Sequence, residues 1–425
     1  QHGVESTVIG KYNSDNALHM TYNGKSIAYI TSDFLEQGFP QWKFTAEWTP
    51  PKMRGLYEPV IGSTKDQGKL LETMLTRPNI CSKEYIFRQK DHEVQGTSVI
   101  KPLVGVGDDG VSGDIPSDAA IIRPILGSNK GLVFAQTLNP EYSKIDAKHM
   151  TTATIDEGVR GAIAVGGNLD EIGGLDNFCW PCIESDAVKN PDGKFKAAQL
   201  VRANLALKEA CETYEIPLLS GKDSMYVDGH PTHSATGVKK KVSGLETMQF
   251  VVTTTIDDVA NCITSDAKEA HNLIYLVGET KNELGASEFY SMLDETGLNV
   301  PKTDMKANME MYKTFVDVRD KGYMTSIKNV SQKNGLLVDL VLMAAGGNLG
   351  FYMDLNKVNA VDCPLDEQIL YSGSTGRMLV EVTPENQENF EKGMGDYAKA
   401  IGAFNDVFQV YVKNRNDDII IEKDI

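Results

Sequence analysis

Apolar residues recur at helical spacing in several stretches of the chain, and these fix its coarse layout. Between 194 and 214 the positions Leu200, Ala203, Leu207, Cys211 and Tyr214 are spaced 3, 4, 4 and 3, one face of an amphipathic helix. Similar stripes predict helices over about 69–75, followed by a second amphipathic stretch to 90, and over 147–165, 304–319 and 336–345. Gly166-Gly167 and Gly346-Gly347 supply the stops of two of these helices. Period-two or β-branched runs predict strands at 97–104, 119–125, 131–136, 172–175, 216–219, 248–256, 273–277, 323–327, 350–355, 377–382 and 406–412. Near the start, 17–22 and 25–30 flank Asn23-Gly24, the strongest short hairpin signal. The chain then leaves this hairpin for an extended stretch with Pro40, Pro50 and Pro51, which reads as the tail of a larger preceding domain.

Two segments predict loops that carry chemistry. Residues 172–175 lead to Asp176, and 216–219 lead to Ser220-Gly221-Lys222-Asp223-Ser224, with the 194–214 helix between them. Ligands of α/β units gather beyond the carboxyl ends of strands, so Asp176 and this loop are placed as candidate site residues. The loop lacks the G-x-x-x-x-G-K-[ST] spacing of a P-loop. Residues 105–114 read as an acidic, flexible loop and 229–243 as a polar linker, whose Lys239-Lys240-Lys241 reads as a solvated turn.

Composition narrows the classes. The 425 residues are 41% hydrophobic and 24% charged, enough for a core and a size that suggests about three compact units. A formal charge of −17 argues against binding a nucleic-acid polymer, and no apolar run has the length of a membrane span. The cysteines, at 81, 179, 182, 211, 262 and 363, are scattered as in a protein of the reducing cytoplasm. Cys179-Trp180-Pro181-Cys182 has no partner pair at zinc spacing and reads as a packing or loop feature. His92 and His149 are read as structural.

In order and spacing, Asp91-His92-Glu93-Val94-Gln95-Gly96, Asp118-Ala119-Ala120, Asn139-Pro140-Glu141-Tyr142, Leu175 to Pro181, and Ser220 to Met225 resemble phosphoribosylformylglycinamidine synthase. So do Thr7 to Tyr12 and Asp33 to Gly38, which resemble the end of the family's first half. The family carries two A-then-B domain pairs related to aminoimidazole ribonucleotide synthetase, an α/β (α+β) architecture of mixed sheets packed with helices. The resemblance implies the tail of a first B domain over 1–50, a connector over 51–90, a second A domain over 91–242 and a second B domain over 243–425. It implies ATP-dependent amidation of formylglycinamide ribonucleotide, a step of purine synthesis, by ammonia from glutamine, with ATP and Mg²⁺ as cofactors.

Position by position, Asp176, Gly221, Lys222 and Asp223 are expected at ATP and Ser224 at the ribonucleotide substrate. Asp118 and Glu157 match magnesium ligands of an auxiliary nucleotide site, and Glu157, opposite Ile155, Val159 and Ile163, is expected to reach a ligand or water. That site is expected to be degenerate, because Gly161, Val330 and Gln332 stand where the family has Asn, Asp and Ser. The first-half histidine motifs and a Gly-x-Cys-x-Gly elbow are not found, so no catalytic residue is expected here. The implied partners are a first A–B half, a glutaminase subunit or domain, and a second copy of the chain through the A domain. A non-catalytic scaffold half and another ATP-using member of the superfamily are the alternatives.

Overall fold

The computed structural model describes residues 3–90, 94–106 and 115–424 and divides into two units, 1–45 and 46–425. In the first, β1 (Ala17–Tyr22) and β2 (Lys25–Thr31) pair antiparallel, with positive φ at both Asn23 and Gly24 as a two-residue hairpin turn requires. The helix α1 (Ser32–Gln37) follows, capped by the Thr31 hydroxyl, and none of its residues is buried. A hairpin and one short helix cannot enclose a core. Ile9, Tyr12, Tyr22 and Phe34 are accordingly all more than half exposed.

The second unit has α2 (Gln67–Leu75) near its start and, among the described residues, holds two large sheets besides three two-stranded pairings. The first is built from β3 (Ser98–Ile100), β4 (Ala120–Ile122), β5 (Gly131–Leu138), β6 (Gly173–Cys179), β7 (Leu218–Ser224) and β8 (Thr247–Ile256), in the order β3-β4-β5-β8-β6-β7. Only β6 and β7 pair in parallel. The crossover between them is α4 (Gly193–Thr213), beside α3 (Ala147–Ala164). Along β8 buried and half-buried residues alternate, so Met248, Phe250, Val252 and Ile256 face the helices. β8 lies inside this sheet, so the sheet itself takes in residues up to 256, past the boundary expected at 242. The expected linker at 229–243 is instead a short excursion closed by pairing of 228–229 with 242–243.

The second sheet runs β10-β12-β9-β13-β11-β14-β15, with β9 (Leu273–Val277), β10 (Ser326–Asn329), β11 (Gly350–Asp354), β12 (Met378–Val382), β13 (Ala398–Asn405), β14 (Gln409–Lys413) and β15 (Ile419–Asp424). It packs with α5 (Met305–Arg319), α6 (Gly335–Gly346), α7 (Asp366–Tyr371) and α8 (Gln387–Met394). At the start of α6, Gly335 has φ +74, and a Cβ there would fall 2.6 Å from the backbone of Tyr371. Only glycine fits that approach. One core spans both sheets, joining Ile155, Val159 and Phe250 to Phe315, Ile327 and Val380.

The long helix α3 is therefore central. It touches β5 and β8 on one side, α4 and α5 on another, and β10 on a third. All of its residues except Lys148 and His149 are buried. The helical stripe read from 147–165 is real, but water borders almost none of the opposite face.

Candidate functional site

The strand pair β6–β7 brings most of the candidate residues together. Asp176 lies opposite Gly221, Asn177 opposite Lys222, Phe178 opposite Asp223 and Cys179 opposite Ser224. Here the structure corrects the expected loop. Residues 220–224 are themselves strand, because Pro217 cannot donate to a ladder and the parallel pairing with β6 begins only after it. Asp176 sits within its strand rather than beyond its end.

Alternation then sorts these residues onto two faces. Gly174, two residues before Asp176, points at Phe250 and Ile216 in the core, so Asp176 shares the helix-covered face with Gly221 and Asp223. A Cβ at Gly221 would fall 2.9 Å from Asp176 Oδ1, so the carboxylate rests directly over the glycine backbone. Burial raises the Asp176 carboxyl above its ordinary range, its own backbone N–H lowers it, and the charge of Asp223 raises it further. Two carboxylates that repel each other at a half-exposed edge suit a hard cation held by one or two carboxylates plus phosphate oxygens. Lys222 and Ser224 occupy the open face, where the lysine ammonium donates to the Ser224 hydroxyl beside Asn177 and Gln249. An exposed lysine next to a hydroxyl suits a phosphate group.

Among the described residues the strand β7 is also the sheet's edge, with one side of its backbone unpaired. Leu218 and Leu219 are exposed by 46% and 63%, and Val201 and Leu205 on α4 by 51% and 63%. The cysteines nearby are free thiols, and Trp180 between Cys179 and Cys182 is a core residue donating to Lys196 O at 3.0 Å. His149 is shifted down by burial, as a packed histidine should be. His92, with most of the motif at 91–96, and the acidic loop over 107–114 lie outside the described residues.

Asp118 and Glu157 do come near one another, but not as magnesium ligands. Asp118 Oδ1 accepts from Lys328 Nζ at 2.5 Å and Oδ2 from the Asn329 backbone N–H at 2.6 Å. Glu157 is buried and accepts from Asn139 Nδ2 at 2.8 Å, which corrects the expectation of an open, ligand-facing side chain. Gly161 offers no oxygen, and a Cβ there would sit 3.0 Å from Asp118 O. Val330 is fully buried, and Gln332 Nε2 donates to Ala153 O at 3.0 Å. The residues present do not fit a hydrated divalent ion, whose shell needs several free oxygens. Among the described residues no three His, Cys, Asp or Glu converge as a metal cage.

The same joint holds a network that the sequence did not announce. Asp156 is buried and accepts on Oδ1 from Tyr214 Oη at 2.6 Å, Tyr312 Oη at 2.7 Å and Asn308 Nδ2 at 2.8 Å. On Oδ2 it accepts from the Arg160 guanidinium and from Gly376 N at 3.2 Å. Burial opposes the charge of Arg160, yet Asp156 more than compensates and raises its pKa. The Asp156–Arg160 spacing of four was visible in the sequence. Its tyrosine partners, 58 and 156 residues away, were not.

Nearby on α6, burial pushes the Asp339 carboxyl up to about 6, against the pull of Lys328, the Asn334 amide and the Ser331 N–H. Its folded value exceeds its unfolded one. Its contribution is therefore full below about pH 4 and lost as pH rises through about 6. Asp339→Asn is expected to flatten the loss of stability over that window, an effect on the order of 2 kcal/mol. Thermal melts from about pH 4 to 6.5 read it, and an unchanged slope would count against this account.

The AIR synthase related protein C-terminal domain family matches residues 269–413, which hold the second sheet almost entirely. The phosphoribosylformylglycinamidine synthase subunit PurL of Alkaliphilus metalliredigens is 27% identical over 397 residues, covering 92% of this chain and 48% of the relative. The corresponding subunit of Methanocaldococcus jannaschii is 28% identical over 394 residues, covering 91% and 48%. The solved structure of T. maritima PurL complexed with FGAR superposes with a TM-score of 0.58 at 16% identity, over 78% of this chain and 49% of that one. The chain thus spans about half the length of the curated relatives it matches. The fold is AIR synthase-like, with mixed sheets and packed helices, and over nine-tenths of its length the chain is similar to phosphoribosylformylglycinamidine synthase PurL subunits.

Proposed function

We propose that this chain acts as the second A–B half of an ATP-dependent ligase of purine biosynthesis. In that reaction ATP phosphorylates the amide oxygen of formylglycinamide ribonucleotide, releasing ADP, and ammonia then displaces the phosphate to give the amidine. The observation that carries the reading is the match of 92% of the chain to PurL subunits, with the Asp176/Gly221–Ser224 strand pair inside the matched chain. Asp176 and Asp223 on one face would hold the magnesium of Mg–ATP over the Gly221 backbone. Lys222 and Ser224 on the other would meet the ribonucleotide, which moves Lys222 from the nucleotide to the substrate side. The work of such an enzyme is to position these groups and stabilise the spreading charge, and to keep water away from the activated amide.

The first A–B half is the proposed partner, docked on the exposed β7 edge and the apolar residues beside it. Residues 1–45, which enclose no core of their own, would complete its B domain. Ammonia would come from a glutaminase partner, and the reaction belongs in the cytoplasm. A second copy of the chain is the alternative occupant of the β7 edge. A purely structural half is the second reading, favoured by the lost oxygens at 161 and 330.

Complementation tests the proposal. The chain alone should show no ATP-dependent amidation, while the chain mixed with a PurL first half and supplied with ammonia should turn over. Turnover by the chain alone would sink the half-enzyme reading. A folded but silent mixture would sink the ligase reading.

A further inference from the structure

We propose that the Lys328 ammonium takes the place of a divalent cation at Asp118 and Glu157, locking the joint between the two sheets so that neither metal nor nucleotide binds there. Lys328 is the penultimate residue of β10 in the second sheet, and Asp118 precedes β4 of the first. Both side chains are buried, at 5% and 7% exposure. The ammonium touches Asp118 at 2.5 Å and stands 3.9 Å from Asp339 Oδ1. Two carboxylates, Asp118 and Asp339, flank one positive centre as they would a bound cation, and here the cation is covalently part of the chain.

The surroundings leave too little space for a nucleotide with its ion. The second oxygen of Asp118 is taken by the Asn329 N–H, and the Asn329 side chain bonds Arg160 Nε at 2.8 Å. Beyond Glu157, the cavity between Asn139, Tyr142, Gln332 and Lys333 measures about 180 Å³. Small-molecule sites usually start near 300 Å³. A tethered ammonium also differs in kind from a bound metal, because its occupancy depends on no free concentration. The joint is therefore assembled at any magnesium or nucleotide level, whether or not the proposed amidation holds.

The test uses the full chain with Mn²⁺ alone as a spectroscopic probe, together with thermal melts. Wild type and Asp118→Asn should bind Mn²⁺ alike, and Lys328→Met should melt lower than wild type by on the order of 5 °C. The double variant D118N/K328M should recover part of that loss, because the uncompensated carboxylate is gone. Mn²⁺ bound by wild type and lost in D118N would overturn the proposal. So would a double variant no more stable than K328M, or a K328M that melts with wild type. Should K328M fail to fold, a folded double variant is the same recovery, and a double variant that also fails overturns the proposal.

Discussion

Asp156→Ala should destabilise the 46–425 unit by about 3–5 kcal/mol, the largest loss expected from any single substitution at the joint. The carboxylate is the common acceptor for α4 through Tyr214, for α5 through Asn308 and Tyr312, and for Gly376 just before β12. Without it the Arg160 guanidinium keeps its bonds to Asn329 and Val330 but loses its counter-charge in a site closed to water. Two phenols and an amide lose their acceptor in the same step, and each unmade bond costs about 1–3 kcal/mol where nothing replaces it. Burial, the larger cause that holds both tyrosines above their usual range, remains after the substitution, so neither is expected to ionise to compensate. Chemical denaturation of D156A reads the effect. A midpoint within about 1 kcal/mol of wild type would show that the network is not what joins the sheets.

Asp176→Asn should do the opposite. If the chain works with a first half as proposed, ATP-dependent amidation by the assembled pair should fall by about 100-fold or more, a loss typical of removing one charge-stabilising group. The fold should not suffer, because Asp176 is held as a carboxylate against both partial burial and the charge of Asp223. A group whose charge is unfavourable in the folded protein is stabilised when neutralised, and such conflicts gather where a ligand relieves them. Activity and melting temperature should therefore move apart, with the rate dropping while the melt stays level or rises slightly. A D176N chain that retains the wild-type rate would favour the structural-half reading.

Local signals were legible in the sequence, and long-range ones were not. The Asn23-Gly24 hairpin and the stripe of α4 are written in neighbouring residues, so turn chemistry and helical period revealed both. Residues 220–224 were misread because Ser, Gly, Lys, Asp and Ser look like a loop. They are strand only because β6 lies alongside, and their polar side chains sit at an exposed edge. Glu157 was misplaced for the converse reason. Periodicity finds the apolar side of α3, but the second sheet that buries the other side arrives some 170 residues later, at Asn329. Lys328 carried no signal at all, since its meaning depends on Asp118, 210 residues away.

The placement of β8 has a consequence for how the chain is made. Thr247–Ile256 is the last strand of its sheet to be synthesised, yet it sits in the middle, hydrogen-bonded to β5 on one side and β6 on the other. Until those ten residues leave the ribosome, the 98–138 strands and the β6–α4–β7 unit are two separate edges with nothing between them. Closing the sheet is a late, non-local event, the kind that makes folding slow and leaves unpaired edges exposed during synthesis. A gene fragment stopped at 242 would encode two half-sheets and no domain; one extended past 256 contains the piece that joins them.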